Sequence, residues 1–94
     1  MEKVVLVKKE KRHLVPAVVH KDFTARVQTV DSKTNKMFYN LISDFYKITG
    51  VPILLNTSFN LNGEPIVCSP TDAIRTFYSC GLDILVMGNY LIHK

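Results

Sequence analysis

Short polar side chains crowd one stretch of the chain, directly after an apolar run. This stretch contains Asn56, Thr57, Ser58, Asn60 and Asn62. Hydroxyl and amide groups hydrogen-bond the oxygens of phosphates and carboxylates, and a guanidinium balances their charge. Arg26, on another predicted strand, supplies such a guanidinium. The residue types therefore predict a site for a nucleotide or another phosphate compound, formed by Arg26, Thr57, Ser58 and Asn60.

The same residues also suit purely structural roles. Asn, Ser and Thr side chains bond their own backbone in turns, and Asn62 followed by Gly63 is a strong signal for a hairpin turn. Arg26 can equally be a strand-edge arginine whose charged head reaches solvent. The residue types alone leave both interpretations open.

Other kinds of site lack support in the sequence. The chain has neither the GxxxxGKS/T loop that cradles phosphates nor the glycine fingerprint of dinucleotide binding. Its three histidines have no GxSxG partner. No third metal ligand is evident beside His20 and Asp22, and Cys68 and Cys80 lack zinc spacing. We therefore expect reduced, structural cysteines, no metal and no cofactor within this chain, and we name no catalytic residue.

Strands must position the candidate residues. The apolar run that follows Pro52 and ends at Leu55 favours a strand covered on both faces, which would deliver the polar stretch at its end. Residues 25–30 alternate small or apolar with polar side chains, which predicts a half-buried strand bearing Arg26. Further strands are predicted at residues 2–8, 14–19, 84–87 and 90–92.

Two helices are predicted between these strands. Residues 35–49 show helical periodicity, with Ser32 or Thr34 as candidate N-cap and Gly50 as C-cap. A second helix should begin with Ser69 as its cap and Pro70 at its first position, followed by Asp72, and end at Gly81. The order predicts an α/β or α+β fold, a mixed twisted sheet with two helices packed against it, in one domain spanning residues 1–94.

Composition narrows the class of protein. The chain is 47% hydrophobic and 21% charged, as globular domains are, and no apolar run approaches the roughly 20 residues that span a bilayer. No signal-peptide pattern opens it, so we expect a cytoplasmic protein without membrane contact. Much of the net charge of +4 comes from a cluster of Lys8, Lys9, Lys11 and Arg12. No aromatic residues interleave this cluster, which favours a solvated turn over nucleic-acid binding.

The order of residues around the polar stretch is distinctive, since Asn-Thr-Ser-Phe-Asn at 56–60 is followed by Gly-Glu-Pro at 63–65. The chain resembles the C-terminal, YrdC-like region of O-carbamoyltransferases of nodulation and antibiotic biosynthesis. The matching segments are 16–20, 24–30, 50–60, 63–68, Pro70, 72–73 and 81–83. The resemblance therefore covers nearly the whole chain from Pro16.

The resemblance implies a partial YrdC-like domain that works with a large N-terminal domain absent from these 94 residues. It implies a reaction in which carbamoyl phosphate and ATP give carbamoyl adenylate, whose carbamoyl group passes to a hydroxyl acceptor. Thr57, Ser58 and Asn60 would then hold substrate oxygens, and Arg26 would counter phosphate charge. Phe59 stands where related synthases have a small residue, and Phe23 stands where the family often has glycine.

Two other functions remain possible at this point. The charge, and the kinship with synthases that modify tRNA, allow a tRNA-binding module. A structural fragment is the second alternative, because an incomplete sheet leaves edges that can pair with another copy into a homodimer. On the carbamoyltransferase interpretation, we expect the isolated chain to be inactive.

Overall fold

A computed structural model describes residues 3–94. This part of the chain divides into two compact units, one ending at Leu55 and the other comprising Asn56–Lys94. Within the described residues, no helix is both long and apolar enough to cross a membrane.

The first unit contains a two-stranded antiparallel sheet. Strand β1, Lys3–Leu6, pairs with β2, Thr24–Val27, so that Val4 lies opposite Arg26 and Val5 opposite Ala25. Side chains alternate across a strand, so Ala25, 6% exposed, faces the opposite way from Arg26. Both predicted strands are confirmed with changed bounds, since β1 ends at Leu6 and β2 begins at Thr24, just before the predicted range, and ends at Val27. Glu2 of the first prediction lies outside the described residues.

The predicted strand at residues 14–19 is wrong, because this part of the chain forms short 3-10 helices. They span Lys9–Leu14 and Pro16–Val18. The second is closed by hydrogen bonds from Val18 N to Val15 O at 3.1 Å and from Val19 N to Pro16 O at 3.4 Å. Proline has no N–H for a strand ladder, but its fixed φ suits the first position of a helical turn. The apolar run alone could not distinguish the two structures.

Helix α1, Lys36–Thr49, confirms the predicted helix at residues 35–49. Its N-cap is Asn35, whose Oδ1 accepts the Phe38 N–H at 3.2 Å, rather than Ser32 or Thr34. Gly50 closes the helix in the left-handed conformation with φ 74°, as predicted. Although one face of α1 is apolar, the helix contains no buried residue.

The segment Pro52–Leu55, predicted as a buried strand, has no regular secondary structure. Ile53 is 47% exposed and Leu55 67% exposed. A strand buried on both faces needs partners along its edges and layers above and below. The described residues supply no such partner strand, so the apolar run forms no strand and stays largely exposed.

The second unit packs one helix against a hairpin. Helix α2, Pro70–Tyr78, is followed by β3, Ile84–Met87, and β4, Tyr90–His93, which pair antiparallel. The core consists of Ala73, Phe77 and Leu85, with Phe59, Met87 and Ile92 packed against it. Phe77 lies at the centre of this core, since none of its surface is exposed.

The start of α2 matches its prediction, and its end does not. Ser69 is the N-cap, because its Oγ accepts the Asp72 N–H at 3.1 Å, and Pro70 occupies the first turn. The helix ends at the cap residue Ser79 instead of at Gly81. The α+β class is confirmed, with the strands divided between two antiparallel sheets rather than gathered in one mixed sheet.

Candidate functional site

The polar loop of the second unit is built around a hydrogen-bonded turn. The Glu64 N–H bonds the Leu61 carbonyl at 3.1 Å, and Gly63 has a φ of 82°. A positive φ at the third position is what a type II turn requires, and glycine adopts it without strain. The turn predicted from Asn62 and Gly63 is therefore present, but no strands flank it to make a hairpin.

Asn60 holds this turn from inside. Its Nδ2 donates to the Leu61 carbonyl at 3.0 Å and to the Glu64 carbonyl at 3.1 Å, so one amide group ties both ends of the turn together. The structural role that the sequence left open for this residue is thus observed. Ligand contact by Asn60 stays a prediction.

Phe59 anchors the base of the loop. It is partly buried against the core of the second unit, and its carbonyl accepts the Val67 N–H at 3.0 Å. The loop between these two residues is therefore closed by a backbone hydrogen bond and fixed by an apolar side chain. Phe59 stands where the resemblance to related synthases led us to expect a small residue. In the structure its ring packs against the core of the second unit.

Thr57 and Ser58 precede this anchored segment and are exposed. Their hydroxyls make no hydrogen bond with any of the residues that the structure describes. Hydroxyls that the protein itself does not use are available to ligand oxygens. The side-chain hydroxyls of Thr57 and Ser58 are therefore not used to hold the described fold together.

The sequence interpretation missed one cation beside the loop, Arg75 of α2. Its Nη2 lies 3.8 Å from Glu64 Oε2 and 3.7 Å from Asp72 Oδ1. The Arg75 side chain is 63% exposed, and such long, exposed ion pairs contribute little stability. Its position three residues after Asp72 was a visible signal of the helical pair.

Arg26 lies in the first unit, on the exposed face of the β1–β2 sheet. Ala25, its buried neighbour, and the pairing with β1 fix the backbone beneath it. The described residues provide no ion-pair partner for its guanidinium. The part of the first unit that the structure describes therefore does not neutralise the charge of Arg26.

The turn that leads into β2 carries a phenylalanine in a conformation suited to glycine. Phe23 has a φ of 67°, and its N–H and carbonyl bond His20 O and Val7 N, each at 2.9 Å. Asp22 Oδ1 accepts the Thr24 hydroxyl at 2.7 Å, which lowers the pKa of the Asp22 carboxyl. The turn thus keeps the left-handed conformation at the position where the resemblance led us to expect glycine.

His20 and Asp22 remain a pair without a third ligand. Among the described residues, no three or more His, Cys, Asp or Glu side chains are grouped so that they could hold a metal ion. The His20 Nδ1 instead lies 3.3 Å from the Thr24 hydroxyl. Both side chains therefore take part in the turn.

The basic cluster lies between β1 and β2, largely within the 3-10 helix Lys9–Leu14. The Arg12 side chain folds back over the segment that connects β1 to β2, where its Nε donates to the Val7 carbonyl at 3.0 Å. Its guanidinium also covers the Phe23 ring. One of the four cations in the cluster thus serves the fold, as a solvated turn allows.

The predicted site residues fall into two groups. Thr57, Ser58 and Asn60 belong to the second unit, where they are neighbours in sequence at the start of the anchored loop, and Arg26 belongs to the first unit. The second unit thus offers the hydroxyl donors of Thr57 and Ser58, and the cation beside the turn, Arg75, lies next to the carboxylates of Glu64 and Asp72.

Comparison with known protein families shows to which family this chain belongs. A family profile described as the carbamoyltransferase C-terminus matches residues 1–94. The chain belongs to the carbamoyltransferase C-terminal family. The family resemblance drawn from the loop motif is therefore confirmed.

Relatives of this carbamoyltransferase C-terminal chain include nodulation proteins. Nodulation protein NolNO of Sinorhizobium fredii is 55% identical over the whole chain, which covers 14% of that protein. Nodulation protein NolO of Bradyrhizobium diazoefficiens is 51% identical, again over the whole chain, which covers 17% of its length. The 3'-hydroxymethylcephem-O-carbamoyltransferase of Amycolatopsis lactamdurans is 40% identical over 78% of this chain and 14% of its own length. The 94 residues thus correspond to less than a fifth of these proteins.

Proposed function

We propose that this chain is the C-terminal part of an O-carbamoyltransferase and supplies half of its site for carbamoyl adenylate formation. In the proposed reaction, carbamoyl phosphate, ATP and water yield carbamoyl adenylate, phosphate and pyrophosphate, and the carbamoyl group then passes to a hydroxyl acceptor with release of AMP. Family membership supports carbamoyl transfer. The observation that carries the proposed site is the pair of exposed, unbonded hydroxyls of Thr57 and Ser58 immediately before the anchored loop.

Thr57 and Ser58 would donate hydrogen bonds to oxygens of the nucleotide or of carbamoyl phosphate. Asn60 keeps the turn that follows them in place, so its main contribution is to preorganise the loop. Arg26 would balance the negative charge that accumulates when two phosphate compounds meet. Arg75, which lies beside the loop, is a further candidate for balancing this charge.

The remaining parts of the enzyme would come from the polypeptide that its relatives carry and these 94 residues lack. The acceptor and much of the phosphate site would bind there, so the isolated chain should form no carbamoyl adenylate. Both cysteines are free, which suits a reducing compartment such as the cytoplasm.

The test uses a chimera in which this chain replaces the aligned segment of NolO. The measured quantity is AMP formed from ATP in the presence of carbamoyl phosphate and acceptor. Thr57→Val combined with Ser58→Ala should lower the rate at least about tenfold, as the loss of oxygen-binding donors does in other active sites. Arg26→Ala should lower it by a similar factor.

Matched controls separate ligand contact from general damage. Thr71→Val replaces an exposed threonine of α2, and Lys3→Ala removes a cation from the other face of the Arg26 sheet. Both should leave the rate unchanged. Equal rates for the control and test variants would remove the loop and Arg26 from the site. AMP formation by the isolated chain would contradict its predicted inactivity.

A further inference from the structure

The β3–β4 hairpin is apolar on both faces. Leu85 and Ile92 are paired across the strands and face the core formed with Phe77. Val86 and Leu91 are also paired, but they lie on the opposite face, where they are 68% and 65% exposed. Ile84 shares this outer face, is 54% exposed, and is paired with His93, which places an imidazole at the edge of the face.

Strands with apolar residues on both faces are typical of sheets that are covered on both sides. A half-solvated antiparallel strand would instead alternate apolar and polar residues. Here α2 covers the inner face, and nothing in the second unit covers the outer one. From Ile84 to Ile92 the sequence contains no Asp, Glu, Lys or Arg, so the centre of this face suits an apolar layer, with His93 as the polar residue at its edge.

The size of the outer face bears on what covers it. Strands of four residues make a face of about 14 Å by about 10 Å, and its protruding side chains give it an accessible surface on the order of 300 Å² on each copy. A stable dimer buries about 800 Å² on each partner, so a second copy cannot be held by this face alone. A segment of the same polypeptide needs no such area, because covalent linkage gives it a high effective concentration.

We infer that the outer face formed by Ile84, Val86 and Leu91 is covered, in the carbamoyltransferases, by an apolar segment of the polypeptide outside these 94 residues. The relatives provide the required length, since the chain covers only 14% of NolNO and 17% of NolO. The hairpin is then the middle layer between α2 and that segment. This inference concerns assembly and does not depend on the proposed reaction.

Cysteine labelling tests the inference in the NolO chimera and in the isolated chain. Val86→Cys reports on the outer face, and Tyr90→Cys is the matched control. Tyr90 lies in the same hairpin, is 73% exposed, and belongs to the other face. Cys80→Ser leaves a single thiol in the tryptic peptide 76–94, so mass spectrometry reads each position separately.

Both thiols should react rapidly in the isolated chain. In the chimera, labelling at residue 86 should slow by at least about tenfold, since a covered thiol reacts only after local opening, while residue 90 changes far less. Equal rates at residue 86 in the two proteins would overturn the inference. Equal protection of both positions in the chimera would also overturn it. So would protection of residue 86 in the isolated chain. If that protection of the isolated chain is lost on dilution, the covering layer is a second copy. If the chimera does not fold, the same pair is placed at the aligned positions of NolO.

Discussion

The guanidinium carbon of Arg12 lies 4.0 Å from the centre of the Phe23 ring. Phe23 is the only described residue other than glycine with a positive φ. A cation over an aromatic face contributes about 0.5–1 kcal/mol at an exposed site. A left-handed backbone costs a non-glycine residue about 1–2 kcal/mol. The ring contact therefore offsets part of the strain that the turn imposes.

Phe23→Ala and Phe23→Gly should separate these two effects. Alanine loses the contact with Arg12 and keeps the strained backbone, whereas glycine loses the contact and relieves the strain. We expect Phe23→Gly to be more stable than Phe23→Ala by about 1 kcal/mol in urea unfolding. An alanine variant as stable as the glycine variant would show that the backbone is not strained at this position.

The role of Asn60 in the polar loop predicts a large effect for a small change. Asn60→Asp keeps the shape of the side chain but replaces the Nδ2 donor with an acceptor that faces two carbonyls. The free energy of unfolding should fall by about 2 kcal/mol. Asn62→Asp, two residues away on the exposed turn, should change it by less than about 0.5 kcal/mol. Similar losses in both variants would contradict the assigned hydrogen bonds.

Asp72 should make the stability of the chain depend on pH in the acid range. The Ser69 hydroxyl donates to Asp72 Oδ2 at 2.7 Å and lowers the pKa of Asp72 below its ordinary value of 3.8. Because the folded pKa lies below the unfolded one, this stabilisation is complete above about pH 3.8 and is lost as the pH falls through the folded pKa.

Ser69→Ala should therefore raise the pKa of Asp72 toward 3.8 in an NMR titration of its carboxyl carbon. Ser79→Ala makes the same substitution at the other end of α2, where the hydroxyl donates to the Arg75 carbonyl. This control should leave the Asp72 titration unchanged. A Ser69→Ala titration identical to that of the wild type would rule out the hydroxyl as the cause.

Two glycines that both follow helices should respond differently to alanine. Gly50 has a φ of 74°, whereas Gly81 is not left-handed, and an added Cβ meets no atom within 4 Å at either position. Gly50→Ala should cost about 1 kcal/mol of stability through backbone strain alone. Gly81→Ala should be neutral or slightly stabilising in the same thermal unfolding experiment. A destabilised Gly81→Ala would mean that Gly81 does act as the helix cap.

Thr76 of α2 offers a substitution that should stabilise the protein. It is 1% exposed, and its Oγ1 has no hydrogen-bond partner among the residues described. Thr76→Val has the same shape without the unpaired hydroxyl and should gain about 1 kcal/mol in urea unfolding. Thr71→Val, on the exposed side of the same helix, should give no such gain. Destabilisation of Thr76→Val would indicate that the hydroxyl has a partner in solution.

Local signals predicted local structure well in this chain. Ser69, Pro70 and Asp72 predicted the start of α2 because a cap depends on neighbouring residues. Asn62 and Gly63 predicted their turn for the same reason. The apolar run ending at Leu55 failed as a strand predictor, since a strand depends on partners far away in the chain.

The candidate site shows the same division. The donors of the loop could be named from residue types and from the family motif. The bonding of Asn60 within the turn and the packing of Phe59 depend on tertiary contacts, which residue types do not specify. The family itself was recognisable because the order of residues 56–65 is far more specific than any single turn.

The uncharged segment of the hairpin also affects how prone the protein is to aggregate in the cell. Short segments with high β-propensity, low charge and no proline are prone to form intermolecular β-structure when they are uncovered. The nine residues from Ile84 to Ile92 meet this description and expose Val86, Tyr90 and Leu91. Until its outer layer has docked, this hairpin would be free to pair with other copies or to bind chaperones. The layer that completes the sheet would thus also protect the newly made protein from aggregation.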